Sequence, residues 1–260
     1  MRPWVVAVVI AAVLPGVAFG QTPSSPALPT GAMVLESRAL PQSAHANRAL
    51  VLWMLHPEKH PRFEEVFKPT PEMKGYSCCP DETLGSYYSG PTRVSLLDTV
   101  TNKIINTVKV TTPFGNKDVF YVPYMIHPCY YRVDPPLKDG EGQPVIIGLK
   151  DYNGDGNALA FAFFAAGDCN MLLIQLVGYS PKQDRVIQYP VSLKNWELDD
   201  NGTTTTGLWL DRVFLQKPIR PGVWQYTVPE RFCNIPTYAV RYDPVQERFL
   251  GTVTWLRCDR

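Results

Sequence analysis

The chain has 260 residues, with 25 Lys+Arg against 24 Asp+Glu for a formal charge of +1, 45% apolar side chains, 25 prolines and six cysteines. So balanced a charge excludes the broad basic field that non-specific nucleic-acid binding needs, and the apolar share excludes disorder over the whole length. Nearly one residue in ten is proline, which removes a donor and clashes inside helices, so a helical bundle is excluded as well.

Residues 1–20 start on a basic Arg2, run through an apolar stretch from Trp4 to Leu14 and end small-x-small at Ala18-Phe19-Gly20. This is the pattern of a Sec-type signal peptide with cleavage before Gln21. The apolar run is about eleven residues, short of the roughly twenty that span a bilayer. The mature chain is therefore expected to be soluble, without a transmembrane segment, and periplasmic or secreted. Export changes the reading of the cysteines. Cys78, Cys79, Cys129, Cys169, Cys233 and Cys258 all follow the cleavage point, and an oxidising compartment favours disulfides between them. Their connectivity stays open, although the neighbours Cys78 and Cys79 are expected to take different partners. No C-x-x-C or Cys/His pair at zinc-ligand spacing supports a metal cluster instead.

Residues 21–47 are rich in Pro, Ser, Ala and Thr with no sustained period, the composition of a flexible leader. From residue 48 to residue 260 the pattern is that of a single all-β domain. Short β-branched and aromatic runs alternate with turn chemistry every 8–12 residues or so. The expected strands are Ala49–Leu55, Thr92–Asp98, Lys103–Val110, Val119–Ile126, Pro144–Leu149, Ala158–Phe164, Met171–Tyr179, Arg185–Leu193, Gly207–Leu215, Gly222–Val228, Thr237–Tyr242 and Arg248–Leu256. Glu58–Phe67 is the best helical rival, and Pro57 and Pro61 confine it to a turn or two. Three stretches share one grammar: Asp98 to Lys103, Ser180 to Arg185 and Asp243 to Arg248. Each opens a polar turn on Asp or Ser, passes an amide or acid, and re-enters a strand behind a basic residue, which predicts three hairpins in three similar units.

The motif with chemistry in it is Asp151-Tyr-Asn153-Gly-Asp155-Gly156-Asn157. Oxygen side chains at alternate positions with glycine sixth suit a calcium ion: Asp151, Asn153 and Asp155 would offer side-chain oxygens and Asn157 its carbonyl. The same residues also suit a tight turn with no ion. Its twelfth position is Ala162 rather than a bidentate Glu, which departs from the EF-hand. The loop resembles the calcium loops of FG-GAP and integrin-α-type β-propeller repeats, where D-x-[DN]-x-D-G joins two strands of a blade. That resemblance covers residues 144–193, and it implies one blade there and a structural calcium ion. Those loops usually add an acid at the ninth position, here Leu159. A propeller has roughly four to eight blades, more than this length easily supplies, so the expected architecture is blade-like antiparallel sheets, a small or partial propeller, with a β-sandwich as the alternative.

Other chemistry is weaker. His56 and His60 are four apart, but each precedes a proline and so leaves helical geometry. No G-x-S-x-G occurs. The tyrosines Tyr87, Tyr88, Tyr121, Tyr124, Tyr130 and Tyr131, with Trp196, Trp209 and Trp224, could expose rings as a platform for a carbohydrate or protein partner, or fill the core. Asn201-Gly-Thr203 matches a glycosylation acceptor. The function expected is a disulfide-stabilised binding or adhesion-type module. The rival is an exported hydrolase of polysaccharide or ester, its carboxylates drawn from Asp134, Asp139, Glu141, Asp199 and Asp200.

Overall fold

The computed structural model describes residues 28–41, 45–60, 87–111, 119–122, 146–168, 171–195, 204–228 and 235–256. Residues 1–20, where a signal peptide is expected, and all six cysteines lie outside these residues. Among the described residues no helix is long and apolar enough to cross a membrane. The architecture is all-β: three open sheets, none closed into a barrel.

The first sheet contains β1 (Ala32–Ala39), β2 (Arg48–Leu55), β4 (Tyr87–Asp98) and β5 (Lys103–Lys109), neighbours in that order. Two short strands, β3 (Glu58–His60) and β6 (Val119–Val122), pair with the first residues of β4. The second sheet is the meander β7 (Ala160–Asp168), β8 (Met171–Ser180) and β9 (Arg185–Gln188), with β12 (Trp209–Asp211) sharing the outer edge of β8. The third is built on β13 (Val223–Thr227), β14 (Ile235–Asp243) and β15 (Arg248–Leu256). It is extended by β10 (Val191–Asn195), parallel to β15, and by β11 (Thr204–Gly207).

The sheets stack face to face around two cores. Leu50, Leu52, Met54, Val94 and Leu96 of the first sheet meet Phe161, Phe163, Val177 and Tyr179 of the second. The opposite face of the second sheet, through Ala160, Ile174, Leu176 and Leu210, meets Trp224, Tyr226, Val240 and Phe249 of the third. The middle sheet is thus buried on both faces, which is why β7 and β8 read as near-continuous apolar runs rather than alternating ones. Gln175, in the middle of β8, is the polar exception: it is fully buried, with no hydrogen-bond partner for either amide atom.

The three hairpins built on one grammar are present, one in each sheet. Four-residue loops close between the paired residues Asp98 and Lys103, Ser180 and Arg185, and Asp243 and Arg248. The opening side chain accepts loop amides: Asp98 from Val100 and Thr101, Ser180 from Gln183, Asp243 from Val245 and Gln246. The last loop residue is left-handed in every case, with φ of 55° at Asn102, 46° at Asp184 and 48° at Glu247. A short polar side chain tolerates that conformation best, which accounts for the amide or acid before each basic residue.

Several expectations change. The supposed flexible leader, residues 21–47, contributes β1. A bulge between Val34 and Glu36 breaks its two-residue alternation, so the strand does not read as one. Residues 146–149 of the expected strand Pro144–Leu149 are not strand. The Glu36 carboxylate takes the amides of Ile146 and Ile147 at 2.7 and 3.2 Å, and Leu149 N–H turns back to the Ile147 carbonyl. Backbone donors held by a side chain cannot join a ladder. The run Arg185–Leu193 divides at Tyr189-Pro190: Tyr189 N–H makes the last bond to the second sheet, at the Leu176 carbonyl. The Pro190 carbonyl accepts the first from the third sheet, at Phe249 N–H. Proline has no donor to continue the first ladder. Residues 144–193 are therefore not one four-stranded blade, because β10 belongs to the third sheet. Gly207–Leu215 likewise divides into β11, β12 and a 3-10 turn Val213–Leu215 that follows a left-handed Arg212. Glu58–His60 is strand where a helical turn was the rival.

Arg48 joins the first two sheets. Its guanidinium forks onto Asp184 at 3.0 and 2.7 Å and donates to Asp98 at 2.6 Å, with only 12% of the side chain exposed. Arg48 holds the Asp184 carboxyl below the usual carboxylate range. Asp98 is held low first by the Thr101 amide, with Arg48 adding to it. Carboxyls depressed in this way stabilise the fold above their unfolded pKa, and that share is lost as the pH falls through the depressed values. Arg48→Ala is expected to cost about 2 kcal/mol in urea unfolding at pH 7. Lys should restore less than half of it for want of the fork, and the penalty should shrink as the pH falls below the ordinary aspartate value of 3.8.

Candidate functional site

The loop from Asp151 to Asn157 closes on itself. Asp151 accepts Gly154 N–H at 2.7 Å on one oxygen and Gly156 N–H at 3.0 Å on the other. Asp155 accepts Asn157 N–H at 2.7 Å and the Asn153 side-chain amide at 2.9 Å, and the Asn153 oxygen accepts Asp155 N–H at 3.3 Å. Gly154 and Gly156 take φ of 77° and 88°, where a Cβ is disfavoured. The carboxylates thus serve the loop's own amides. Leu159, at the ninth position, is buried in the core between the first two sheets, so an acid there would have to enter apolar surroundings. Two acids with no third is a thin donor set for calcium, which takes six to eight oxygens or so. No group of three His, Cys, Asp or Glu placed to hold a metal ion occurs among the described residues.

What the loop does position is a cleft. Asn153-Gly154 lies against Pro221-Gly222 backbone to backbone. A Cβ on Gly154 would sit 2.2 Å from the Gly222 nitrogen, and one on Gly222, itself at φ 68°, would sit 2.4 Å from the Asn153 carbonyl oxygen. Beneath this contact Tyr152 stacks on Trp224, ring centroids 5.8 Å apart, and Phe214 meets both rings edge-on. The Gly222 carbonyl accepts Tyr242 N–H at 2.9 Å. The cleft above has a volume of ≈ 550 Å3, within the size range of small-ligand sites. One side is the Asp151 loop, and another is the second-sheet hairpin at Pro181 and Lys182. The rest comes from the third sheet through Arg220, Arg241, Tyr242, Pro244 and Glu247, with Tyr189 at the sheet crossover.

The charges in the cleft are unevenly engaged. Glu247 is 8% exposed, and its carboxylate accepts Ser180 O–H and the Gln183 amide, both at 2.5 Å. Asp155 is committed to its own loop, and Lys182 donates to the Val245 carbonyl at 2.9 Å. Arg220 and Arg241 line the cleft and are exposed, and among the described residues neither guanidinium has an ion pair or hydrogen bond. Burial raises the Tyr189 phenol above its ordinary range and pushes Tyr242 up to about 12, with the Glu247 charge adding at both. Both rings therefore stay neutral at physiological pH.

Of the residues singled out in the sequence, Asn153 and Asp155 line the cleft, while Asn157 lies behind it beside Tyr152. Trp224 is core, and Trp209 is half-buried with its N–H on the Thr111 carbonyl. Tyr88 packs partly buried against the first core. His45 meets the Tyr179 ring edge-on, and His56 packs on Gly31. Tyr121 is placed in β6, and Tyr87 and His60 are placed by their backbones in β4 and β3. Tyr124, Tyr130, Tyr131, Trp196, Asp134, Asp139, Glu141, Asp199, Asp200, His127 and Asn201 lie outside the described residues, as do the cysteines. The sequence reading missed Tyr189, Tyr242, Arg220 and Arg241. Tyr189 follows β9, Arg220 precedes β13, and Arg241 and Tyr242 are neighbours within β14, so no local spacing connects the three stretches.

One carboxylate away from the cleft is perturbed upward. Burial pushes Asp211 on β12 up to about 6 from an ordinary 3.8, against the pull of Arg212, whose Nε is 3.6 Å away. Because the folded chain holds this proton more tightly than the unfolded one, Asp211 makes the fold less stable as pH rises through that window. Asp211→Asn, which mimics the protonated group, should raise stability at pH 7.5 by about 1–3 kcal/mol and change it little at pH 4, read by urea unfolding at both values. At the loop, Asp151→Ala should cost about 1–3 kcal/mol even in a chelator, because two amides lose their acceptor. A loss confined to calcium buffer would instead place the effect on an ion. In comparisons with known proteins, no family model, no curated protein and no solved structure matches this chain.

Proposed function

We propose that the chain is an exported, disulfide-stabilised binding module whose ligand occupies the cleft between the Asp151 loop and the hairpins of the second and third sheets. The observation that carries this reading is the state of the cleft's acids. Asp155 is tied to Asn153 and Asn157, and Glu247 to Ser180 and Gln183. A glycosidase needs a carboxylate free to move a proton or attack. An esterase commonly needs a Ser or Cys nucleophile beside a His base, and no Ser, Cys or His is among the described residues that line the cleft. Here both carboxylates hold the walls in place. What remains free to meet a ligand is aromatic, proline and guanidinium surface, which is recognition chemistry.

Rigidity supports the same reading. The walls are hairpin loops fixed by side-chain acceptors and a glycine-to-glycine backbone contact, so little ordering cost falls on association. The expected calcium ion at Asp151, Asn153, Asp155 and Asn157 is not needed for this wall, because the loop's own amides already hold the oxygens of Asp151, Asn153 and Asp155 in place.

Soluble oligosaccharides, peptides and chromogenic esters should be screened with the full chain for binding and turnover in parallel. Saturable binding without turnover is the expected result. Turnover that survives purification to homogeneity would favour the hydrolase and reject the module.

A further inference from the structure

The cleft's cations identify the kind of ligand it takes, an inference that rests on the binding reading above. Arg220 bridges Val223 across a tight turn, and Val223 is in turn the direct cross-strand partner of Arg241. Antiparallel partners lie about 4.5–5.5 Å apart at Cα, so the fold brings the two arginines to either side of one residue. Both line the cleft and are exposed, and among the described residues neither guanidinium has an ion pair or hydrogen bond. Among the described residues no nearby carboxylate pairs with either guanidinium: Asp155 and Glu247 keep their charge but each accept two other donors, and Asp243 accepts the Val245 and Gln246 amides of its own turn. Lys182 adds a third cation at the rim.

We infer that the cleft binds a carboxylate-bearing saccharide, with the acid group on Arg220 and Arg241 and a ring face against Tyr242. A guanidinium presents a planar fork that matches a carboxylate bidentately. Tyr242 and the ring faces of Pro181, Pro221 and Pro244 offer apolar surface of the kind a sugar ring covers. The volume accommodates a ligand of one to a few rings and the opening admits an oligomer end. An acidic peptide is the other source of carboxylates. Arginine clusters recognise acidic peptides as well; the saccharide is favoured by the exposed Pro181, Pro221 and Pro244 rings beside the arginines, flat apolar faces that a sugar ring covers and a run of acidic side chains leaves bare.

The test is calorimetric titration of the full chain with trigalacturonate, with its fully methyl-esterified form, with hexaglutamate and with inorganic phosphate. The acid trimer should bind, and the methyl ester, equal in shape but uncharged, should bind about tenfold or more weakly. Arg220→Ala and Arg241→Ala should each weaken the acid trimer by about tenfold while leaving the melting temperature unchanged, and Lys at either position should recover only part. Equal affinity for trimer and ester would overturn the charge inference yet leave the binding module standing. Preference for hexaglutamate would move the ligand to acidic peptides, and binding of phosphate alone would reduce the site to a simple anion subsite. No binding of the acid trimer overturns the inference outright. The module itself fails only if the broader screen also finds no saturable ligand.

Discussion

The side chain at the left-handed position of a hairpin is the device on which this fold depends. Each sheet contains the same four-residue loop, and the last residue of that loop is left-handed. In the second sheet that residue is Asp184, and its carboxylate reaches back to Arg48 of the first sheet. In the third it is Glu247, reaching back to Ser180 and Gln183 of the second. Each sheet is therefore fastened to its predecessor by a charge-assisted contact. Such contacts are short and directional, so they fix the stacking register as well as adding stability. Asn106 does the same with an amide, donating to the Val186 carbonyl and accepting the Val186 amide, at 2.8 and 2.9 Å.

These contacts matter because hydrophobic burial alone does not choose an orientation. The two cores on either side of the middle sheet supply most of the driving force, and similar aromatic and aliphatic faces could meet at other offsets. Close backbone approach adds a second constraint. A Cβ on Gly178 would sit 2.5 Å from the Leu159 carbonyl, and one on Gly251 2.7 Å from that of Ala239. The glycine contact at Gly154 and Gly222 then carries the same precision to the cleft. Its walls are held by the interactions that set the stacking.

The acidic loop shows how a ligand-like motif can be structural. Oxygens at alternate positions around a glycine turn are placed well for a cation, and for the same geometric reason they are placed well for backbone amides. Asp151 takes two of those amides and Asp155 one. Sequence cannot separate the two uses, since both need short oxygen side chains and a positive φ at glycine. The cleft residues were illegible for a different reason. Tyr189, Arg220 and the β14 neighbours Arg241 and Tyr242 come from three separate stretches of chain, and only the antiparallel register of β13 with β14, together with the crossover at Pro190, gathers them.

By itself the sequence determined the class of the fold and its repeated unit. Alternation, turn residues and proline content are local properties, so Asp98, Ser180 and Asp243 mark three hairpins without any knowledge of what they face. Tertiary structure alone decided which strands share a sheet, because sheet membership depends on partners distant in the chain. That is why β1 joins β2 despite its bulge, why Glu36 claims the amides of Ile146 and Ile147 before they can enter a ladder, and why one continuous run is divided between two sheets at a single proline. It also decided which of the cleft's charges are engaged. Acids and bases balance across the whole chain, but folding ties the cleft's acids into internal hydrogen bonds and leaves two guanidiniums exposed.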